Sequence, residues 1–408
     1  MGFTVEQECP QCGAPIEIDE TDHVLRCPYC GVNNFLFAPH YYRFVLPHKS
    51  SDKEIIHVPY LRFKGSVYFC RDKTVSHRIV DITHVGISFK GLPISLGVRP
   101  QAMKMRFVTQ DTKGLFLKFS LKATEILERA GRQSSAVPPG KLFHRAYIGE
   151  TLSIIYLPIY VENNKIFDAL LKRPIANLPE DQDVFEKGMK NDPQWRIIFM
   201  TTLCPRCGWN LEGNRDTVVL TCNNCETAWE VSKGKFEEVN FSMVPGQGKD
   251  VTYLPFWKIS ASATGLEINS FADFVRITNQ PIVVTPELEN QDMSFWSPAF
   301  KIRPKIFLKI SRQFTLCKKL FATEQRIPRQ DRYPVTLPRT EAAQAMKVIL
   351  AGSAINKKKF LSLLPRIRFK IKSYTLIYLP FRDAGHEMIQ EQMEITINKK
   401  SLEYGRLL

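Results

Sequence analysis

No stretch of this chain reaches the eighteen or so apolar residues that a bilayer-spanning helix needs, which speaks against a transmembrane segment. Residues 1–8 hold no basic cluster and no apolar run, so no secretory signal is expected there and the chain is expected in the cytoplasm. Catalytic signatures are scarce. There is no H-E-x-x-H, and the stretch Val244-Pro245-Gly246-Gln247-Gly248-Lys249-Asp250 lacks the full phosphate-loop pattern and precedes a strand, so a hairpin turn is expected. Histidine is nearly missing from the second half, where His386 stands alone. Asp72, His77, Asp81 and His84 lie close in sequence, but solvated polar positions are the expectation for them; an enzyme with a single site in the first half ranks third among the functional readings.

Acidic residues are absent from residues 301–319 and again from residues 357–372. These stretches carry much of a net charge of +15 and predict a basic surface on the second half, open to nucleic acid, an anionic membrane or an acidic partner. Arg303, Lys305, Lys309 and Arg312 are candidates on a helix. Arg366, Arg368, Lys370 and Lys372 alternate with apolar residues and are candidates on one face of a strand.

Cysteine is what the chain does have. Eight of its ten cysteines form C-x-x-C pairs, which in a reducing compartment points to metal rather than disulfides. Cys9, Cys12, Cys27 and Cys30 make one set; Cys204, Cys207, Cys222 and Cys225 make the other, with fourteen residues between the pairs of each. Proline inside the turn (Pro10, Pro28, Pro205) presets φ, and the glycine after it (Gly13, Gly31, Gly208) tolerates positive φ. Four thiolates around a tetrahedral ion leave no position for water, so two structural Zn2+ ions are expected, one per set; iron accepts the same sulfurs and stays an alternative. Cys70 and Cys317 sit in apolar surroundings and are expected to be buried thiols. Residues 9–30 and 204–225 resemble the rubredoxin-type zinc ribbon, found in many transcription, translation and adaptor proteins. That resemblance implies a metal staple, and it does not choose a function.

The likeness of the halves extends past the cysteines. Val45-Leu46-Pro47 matches Met243-Val244-Pro245, His57-Val58-Pro59-Tyr60 matches Tyr253-Leu254-Pro255-Phe256, Val98-Arg99-Pro100 matches Ile302-Arg303-Pro304, Ala130-Gly131 matches Ala351-Gly352, and Ile155-Tyr156-Leu157-Pro158 matches Ile377-Tyr378-Leu379-Pro380. The expected fold class is α+β, mostly β, in two tandem repeats: ribbon 1–38, β-rich domain 39–195, ribbon 196–232 and β-rich domain 233–408, the last with an insertion near 318–340. Each domain should open a helix at its Arg-Pro. In the second half, residues 304–321 predict a helix with Ile306, Ile310, Phe314, Cys317 and Phe321 on one stripe, and residues 341–351 a helix capped by Thr340 and ended by Gly352. The Leu-Pro prolines predict strand edges or ends. Residues 195–200 predict a strand entering the second ribbon, residues 191–193 a break, and residues 132–140 a loop. Phe256, Trp257, Trp296 and Tyr378 fall in hydrophobic runs and read as core. The leading functional expectation is a non-enzymatic zinc-binding adaptor or scaffold with a protein partner; the alternative is a nucleic-acid-binding protein that uses the basic second half.

Overall fold

The computed structural model describes residues 2–48, 52–89, 91–120, 125–126, 140–178, 188–189, 195–248, 250–317, 322–328 and 331–407. The expected loop over 132–139, the break at 191–193, Ala130-Gly131, Phe321 and the centre of the insertion lie outside them. The architecture is α+β and mostly β. Among the described residues no helix is long and apolar enough to cross a membrane. Contacts divide the chain into two units. Unit 1 takes Met1–Lys64, Val80–Pro138 and Thr151–Thr202; unit 2 takes Gly65–Ile79, Pro139–Glu150 and Leu203–Leu408.

In unit 1 the first cysteine set sits on two hairpins. Thr4–Glu8 pairs with Pro15–Asp19, and Val24–Arg26 pairs with Asn33–Phe37. Alternation in Pro15–Asp19 buries Ile16 and Ile18 and exposes their neighbours. These residues join a core with Leu25, Leu36, Phe44, Val58, Ile155 and Leu157. The strand Ile198–Thr201 leads toward the second ribbon, yet it pairs antiparallel with Asn33–Phe37 of the first. Its apolar residues are placed by that partner rather than by the cysteines that follow. A charged group lies in the core as well: Arg62 is 2% exposed and donates from Nε to Glu20 at 2.9 Å, while Lys64 reaches the same carboxylate at 3.3 Å. Asp81 also pairs with Arg62, at 3.0 Å.

Unit 2 is built on a ladder between Val251–Thr264 and Arg368–Asp383, with Ser294–Pro298 beyond the first strand. Tyr253 to Trp257 are all buried, so both faces of this strand are covered. Phe271–Thr278 starts at a capping box between Ser270 and Asp273 and ends at Asn279, whose φ of 56° is the left-handed stop. Pro304–Leu316 opens at its Arg-Pro as expected. Its buried face holds Ile310 and Phe314 of the predicted stripe, widened on one side by Phe307, Ser311 and Thr315. Ile306 therefore falls at the margin, and Cys317 turns extended and ends the helix. The predicted 341–351 helix is two segments, Arg339–Gln344 and Met346–Ser353, with Pro338 in place of Thr340 at the cap. Gly352 lies inside the second. A Cβ there would meet Cδ of Arg312 at 3.0 Å and Cδ1 of Leu308 at 3.2 Å, so this glycine serves a close helix approach and not a terminus. In the first half the Arg-Pro opens only a short 3-10 turn, Arg99–Ala102.

The Leu-Pro prolines are not at strand ends. Pro158 lies within Leu142–Glu162, between residues 153–156, which pair with Tyr42–Val45, and residues 159–162, which pair with Lys165–Asp168. Pro380 lies between residues 376–378, which pair with Phe241–Met243, and residues 382–383, which pair with Glu387–Gln390. Each proline occupies the gap where one flank changes partner, so its missing N–H costs no ladder bond. The edge condition is met on one side only.

Each unit contains, within itself, a parallel pairing of the same kind. Tyr42–Val45 runs parallel to Ser153 to Tyr156, and Phe241–Met243 runs parallel to Leu376 to Tyr378. Leu46 N–H donates to Tyr156 O in one, and Val244 N–H to Tyr378 O in the other. Gly86 N–H donates to Pro59 O, and Ala299 N–H to Pro255 O.

Part of the expected insertion is a clamp. Tyr253 N–H donates to Asp331 O, Val218 N–H to Val335 O, and Trp257 Nε1 to Leu337 O. Thr217 Oγ1 also donates to Val335 O, and Arg339 pairs with Glu230 at 2.8 Å. One segment thus binds the second ribbon and the central ladder together.

Two outcomes follow from the buried charges. Glu20→Gln leaves Arg62 and Lys64 buried with their shared carboxylate neutralised, and should destabilise unit 1 by about 3–5 kcal/mol, read by denaturant unfolding. In unit 2, burial and the neighbouring Glu341 push Glu150 up to about 8, against the pull of Lys301. An acid whose folded pKa is raised loses stability as pH climbs from its unfolded value to its folded one. Glu150→Gln should therefore gain melting temperature over the parent between pH 5 and pH 8, with no gain at pH 4.

Candidate metal centres

Each C-x-x-C turn is a short local structure, and its backbone shows why the spacing works. Cys9 N–H donates to Ala14 O and Gly13 N–H to Cys9 O; Cys27 and Gly31 repeat the pair with Val32, and Cys204 and Gly208 with Trp209. Gly13, Gly31 and Gly208 hold φ of 72°, 72° and 73°, where only glycine is unstrained. In the fourth turn the positive φ falls to Glu226, at 50°.

The four thiols of each set lie within 4.8 Å of one another, an arrangement that can hold a metal ion. Cys9 and Cys30 sulfurs are 3.7 Å apart, as are Cys12 and Cys27. In the second set Cys204 to Cys225 is 3.6 Å and Cys207 to Cys222 is 3.5 Å. A tetrahedron with metal–sulfur bonds of ~2.3 Å has edges of ~3.8 Å, so both cages fit zinc and no sulfur pair is at disulfide length. All four corners are cysteine sulfurs, and four thiolates on a bound ion would close the site to water and substrate.

Protons in the second cage are unequally held. Burial raises the Cys204 thiol, but hydrogen bonds from the Cys207 amide, the Thr227 hydroxyl and the Arg206 amide outweigh it and bring it to about 6. For Cys225 the Thr227 hydroxyl acts downward, but burial and the hydrogen bonds it shares with the other thiols push it up to about 12. A metal ion entering must displace protons, so loading is pH-dependent. Thr227 lies 3.2 Å from Cys225 Sγ and accepts from Trp229 Nε1 at 2.8 Å. It supports the cage from outside, and nothing in the spacing of the cysteines marks it.

The surfaces beside the cages are unusual. Trp209, directly after the Cys204–Gly208 turn, is 58% exposed, Leu203 just before it 49%, and Tyr29 between Cys27 and Cys30 70%.

The basic candidates are spread over separate elements. Arg303, Lys305 and Lys309 are exposed on Pro304–Leu316, Arg303 lying 5.8 Å from the Tyr404 ring. Arg312 is drawn in against Gly352, and burial lowers its guanidinium pKa. Arg366 ends a 3-10 turn, so the basic strand begins only at Arg368. Arg368 and Lys370 are exposed, with Phe369 and Ile371 packed against the core. Lys372 falls at a register shift opposite Ser260/Ala261 and pairs with Asp292 at 2.6 Å. Of the aromatics, Phe256, Trp257 and Tyr378 are buried, and Trp296 is half-buried under the Lys258 ammonium.

The other candidate groups have structural contacts. Asp72 accepts the Lys141 amide, His77 packs on Tyr68, Asp81 pairs with Arg62, and His84 Nδ1 contacts Val85 O. In the glycine-rich turn Gly246 N–H is held by the Tyr253 hydroxyl, and the chain continues into Val251–Thr264. Cys70 is fully buried and pushed up to about 12 by burial, while Cys317 is half-buried.

No family model, no curated protein and no solved structure matches this chain. What is established is a protein with two four-cysteine sites that can each bind a metal ion. Cys207→Ser should halve the bound metal, measured by atomic emission on purified protein, and lower the melting of unit 2 because metal binding and folding are coupled. Unchanged metal content would remove Cys207 from the ligand set.

Proposed function

We propose that the chain is a non-enzymatic adaptor or scaffold that binds two structural zinc ions and acts through protein–protein contacts. The observation that carries this is the exposure of Trp209 and Leu203 on either side of the first turn of a closed four-sulfur cage; Tyr29, on the second turn of the other cage, is also exposed. A closed cage cannot use its metal for chemistry, but it holds its turn rigid. A rigid, solvent-facing tryptophan is the kind of group that dominates protein interfaces, because it brings large contact area at little entropic cost. The like strand pairings within each unit support an internal repeat of the framework, with Trp209 particular to the second cage.

Arg368 and Lys370, exposed side by side on one face, favour nucleic acid as a second reading. The discriminating experiment is native affinity purification with and without nuclease, run in parallel for the parent and for Trp209→Ala. A discrete protein partner that survives nuclease and is lost with Trp209→Ala is the expected result. Partners that vanish on nuclease treatment and return with Trp209→Ala untreated would replace the adaptor with the nucleic-acid reading.

A further inference from the structure

Two branched aliphatic side chains of unit 2 stand in solvent beside a run of lysines. Val283 is 79% exposed and Ile355 is 54% exposed. Hydrogen bonds join their two segments. Ile355 N–H donates to Thr278 O at 3.1 Å, and Gln280 Nε2 donates to Ser353 O at 2.6 Å. Val283 follows three residues after Gln280, and its neighbours Ile282 and Val284 both pack on the core of unit 2, which turns Val283 outward. Ile355 leads into Lys357–Phe360, a single helical turn. Asn356 caps it, the side-chain oxygen accepting the Lys359 amide at 3.3 Å. Phe360 and Leu361 are buried and anchor the turn, so Lys358 and Lys359 are left to solvent.

No carboxylate answers these lysines. Residues 342–382 contain neither aspartate nor glutamate. Lys357, Lys358, Lys359 and Arg312 make no ion pair among the described residues. Arg312 lies against Gly352, and its Nε is buried without a hydrogen-bond partner among the described residues. Lys357 Nζ donates to Ala354 O at 3.1 Å; burial lowers its pKa and the charge of Arg312 lowers it further, so the two cations act on one another. The acids on the helices that flank Val283 have partners of their own. Asp273 and Glu289 both pair with Arg276, and Glu287 accepts from the Thr285 hydroxyl.

We propose that Val283, Ile355 and the Lys357–Phe360 turn form a docking surface for an anionic membrane, the two aliphatic side chains entering the headgroup boundary and the lysines meeting the lipid headgroups. The surface is independent of the adaptor reading and uses no residue beside a metal cage. A charged bilayer is the partner that takes up both features together, because apolar burial and attraction to anionic lipid add in interfacial binding. Lysine suits that place, since its stem can lie along apolar surface while the ammonium stays at headgroup level. A nucleic acid would use the cations, but it stacks its bases on planar rings, and the apolar groups exposed here are branched and aliphatic.

The test is flotation of the full chain with vesicles of phosphatidylcholine alone and of phosphatidylcholine with phosphatidylserine, at physiological ionic strength over a range of lipid concentration. Binding to the serine-containing vesicles and not to the neutral ones is expected. Lys358→Gln and Ile355→Ser should each weaken it about fivefold, one by removing a headgroup contact and the other by removing apolar burial. Val283→Ser should repeat the Ile355→Ser result. These positions are exposed, so all three variants should melt with the parent. Trp209→Ala should float as the parent does, which keeps this surface distinct from the adaptor contact; loss of flotation there would assign the binding to the ribbon and overturn the proposal. So would the absence of binding to anionic vesicles, or binding that Lys358→Gln weakens while Ile355→Ser and Val283→Ser leave it unchanged, since charge alone would then account for it. A single-stranded oligonucleotide or polyglutamate that displaces the vesicles and binds Ile355→Ser as tightly as the parent would give the surface to a nucleic acid or an acidic protein instead.

Discussion

The ladder between Val251–Thr264 and Arg368–Asp383 sets the position of most of unit 2. Both faces of its middle are buried, so each side chain there must find a cover: Phe256 packs against Phe314 of the long helix, with ring centroids 4.6 Å apart, and Trp257 sends its N–H to Leu337. A strand covered on two faces reads as a continuous apolar run, as Tyr253 to Trp257 does, instead of alternating. The flanks are set by where the register is interrupted. Pro380 separates two successive partners on one side, and the shift at Ser260/Ala261 turns the basic end of Arg368–Asp383 relative to its apolar middle.

The second metal site depends on that ladder through the clamp. Residues 331–339 bond to the ladder at Tyr253 and Trp257 and to the ribbon at Thr217, Val218 and Glu230. A four-sulfur cage organises only the few residues around it. What carries its rigidity into the unit is the set of backbone bonds at Val335 and the Arg339–Glu230 pair, which is mostly shielded from solvent and so stronger than a surface pair. The exposed Trp209 then stands on a turn that cannot easily yield, and a preorganised contact of this kind binds without a large ordering cost.

The charged groups buried in unit 1 are balanced within the fold. Arg62 and Lys64 are met by Glu20 and Asp81 inside unit 1, two cations on two carboxylates, so their role is complete within the fold.

Much was legible in the residues alone where the determinants are close together in the chain. A C-x-x-C turn with glycine after it is closed by hydrogen bonds across five or six residues, so its geometry and its ligand set followed from spacing. Proline at the start of Pro304–Leu316 and the burial of Phe256, Trp257 and Tyr378 followed from φ and from hydrophobic runs in the same way. Three of the misreadings concern partners far off in sequence. Gly352 looks like a helix stop until Leu308 and Arg312 pack against it; Pro158 and Pro380 look like edge residues until two successive neighbours are seen; Ile198–Thr201 looks like part of the second ribbon until Asn33–Phe37 pairs with it. Strand pairing and helix approach are selected by cooperative burial of the whole unit, which no local window contains. For that reason the sequence by itself determined the two cysteine cages, while only the tertiary structure decided that Ile198–Thr201 would pair with Asn33–Phe37 and that Leu308 and Arg312 would pack on Gly352.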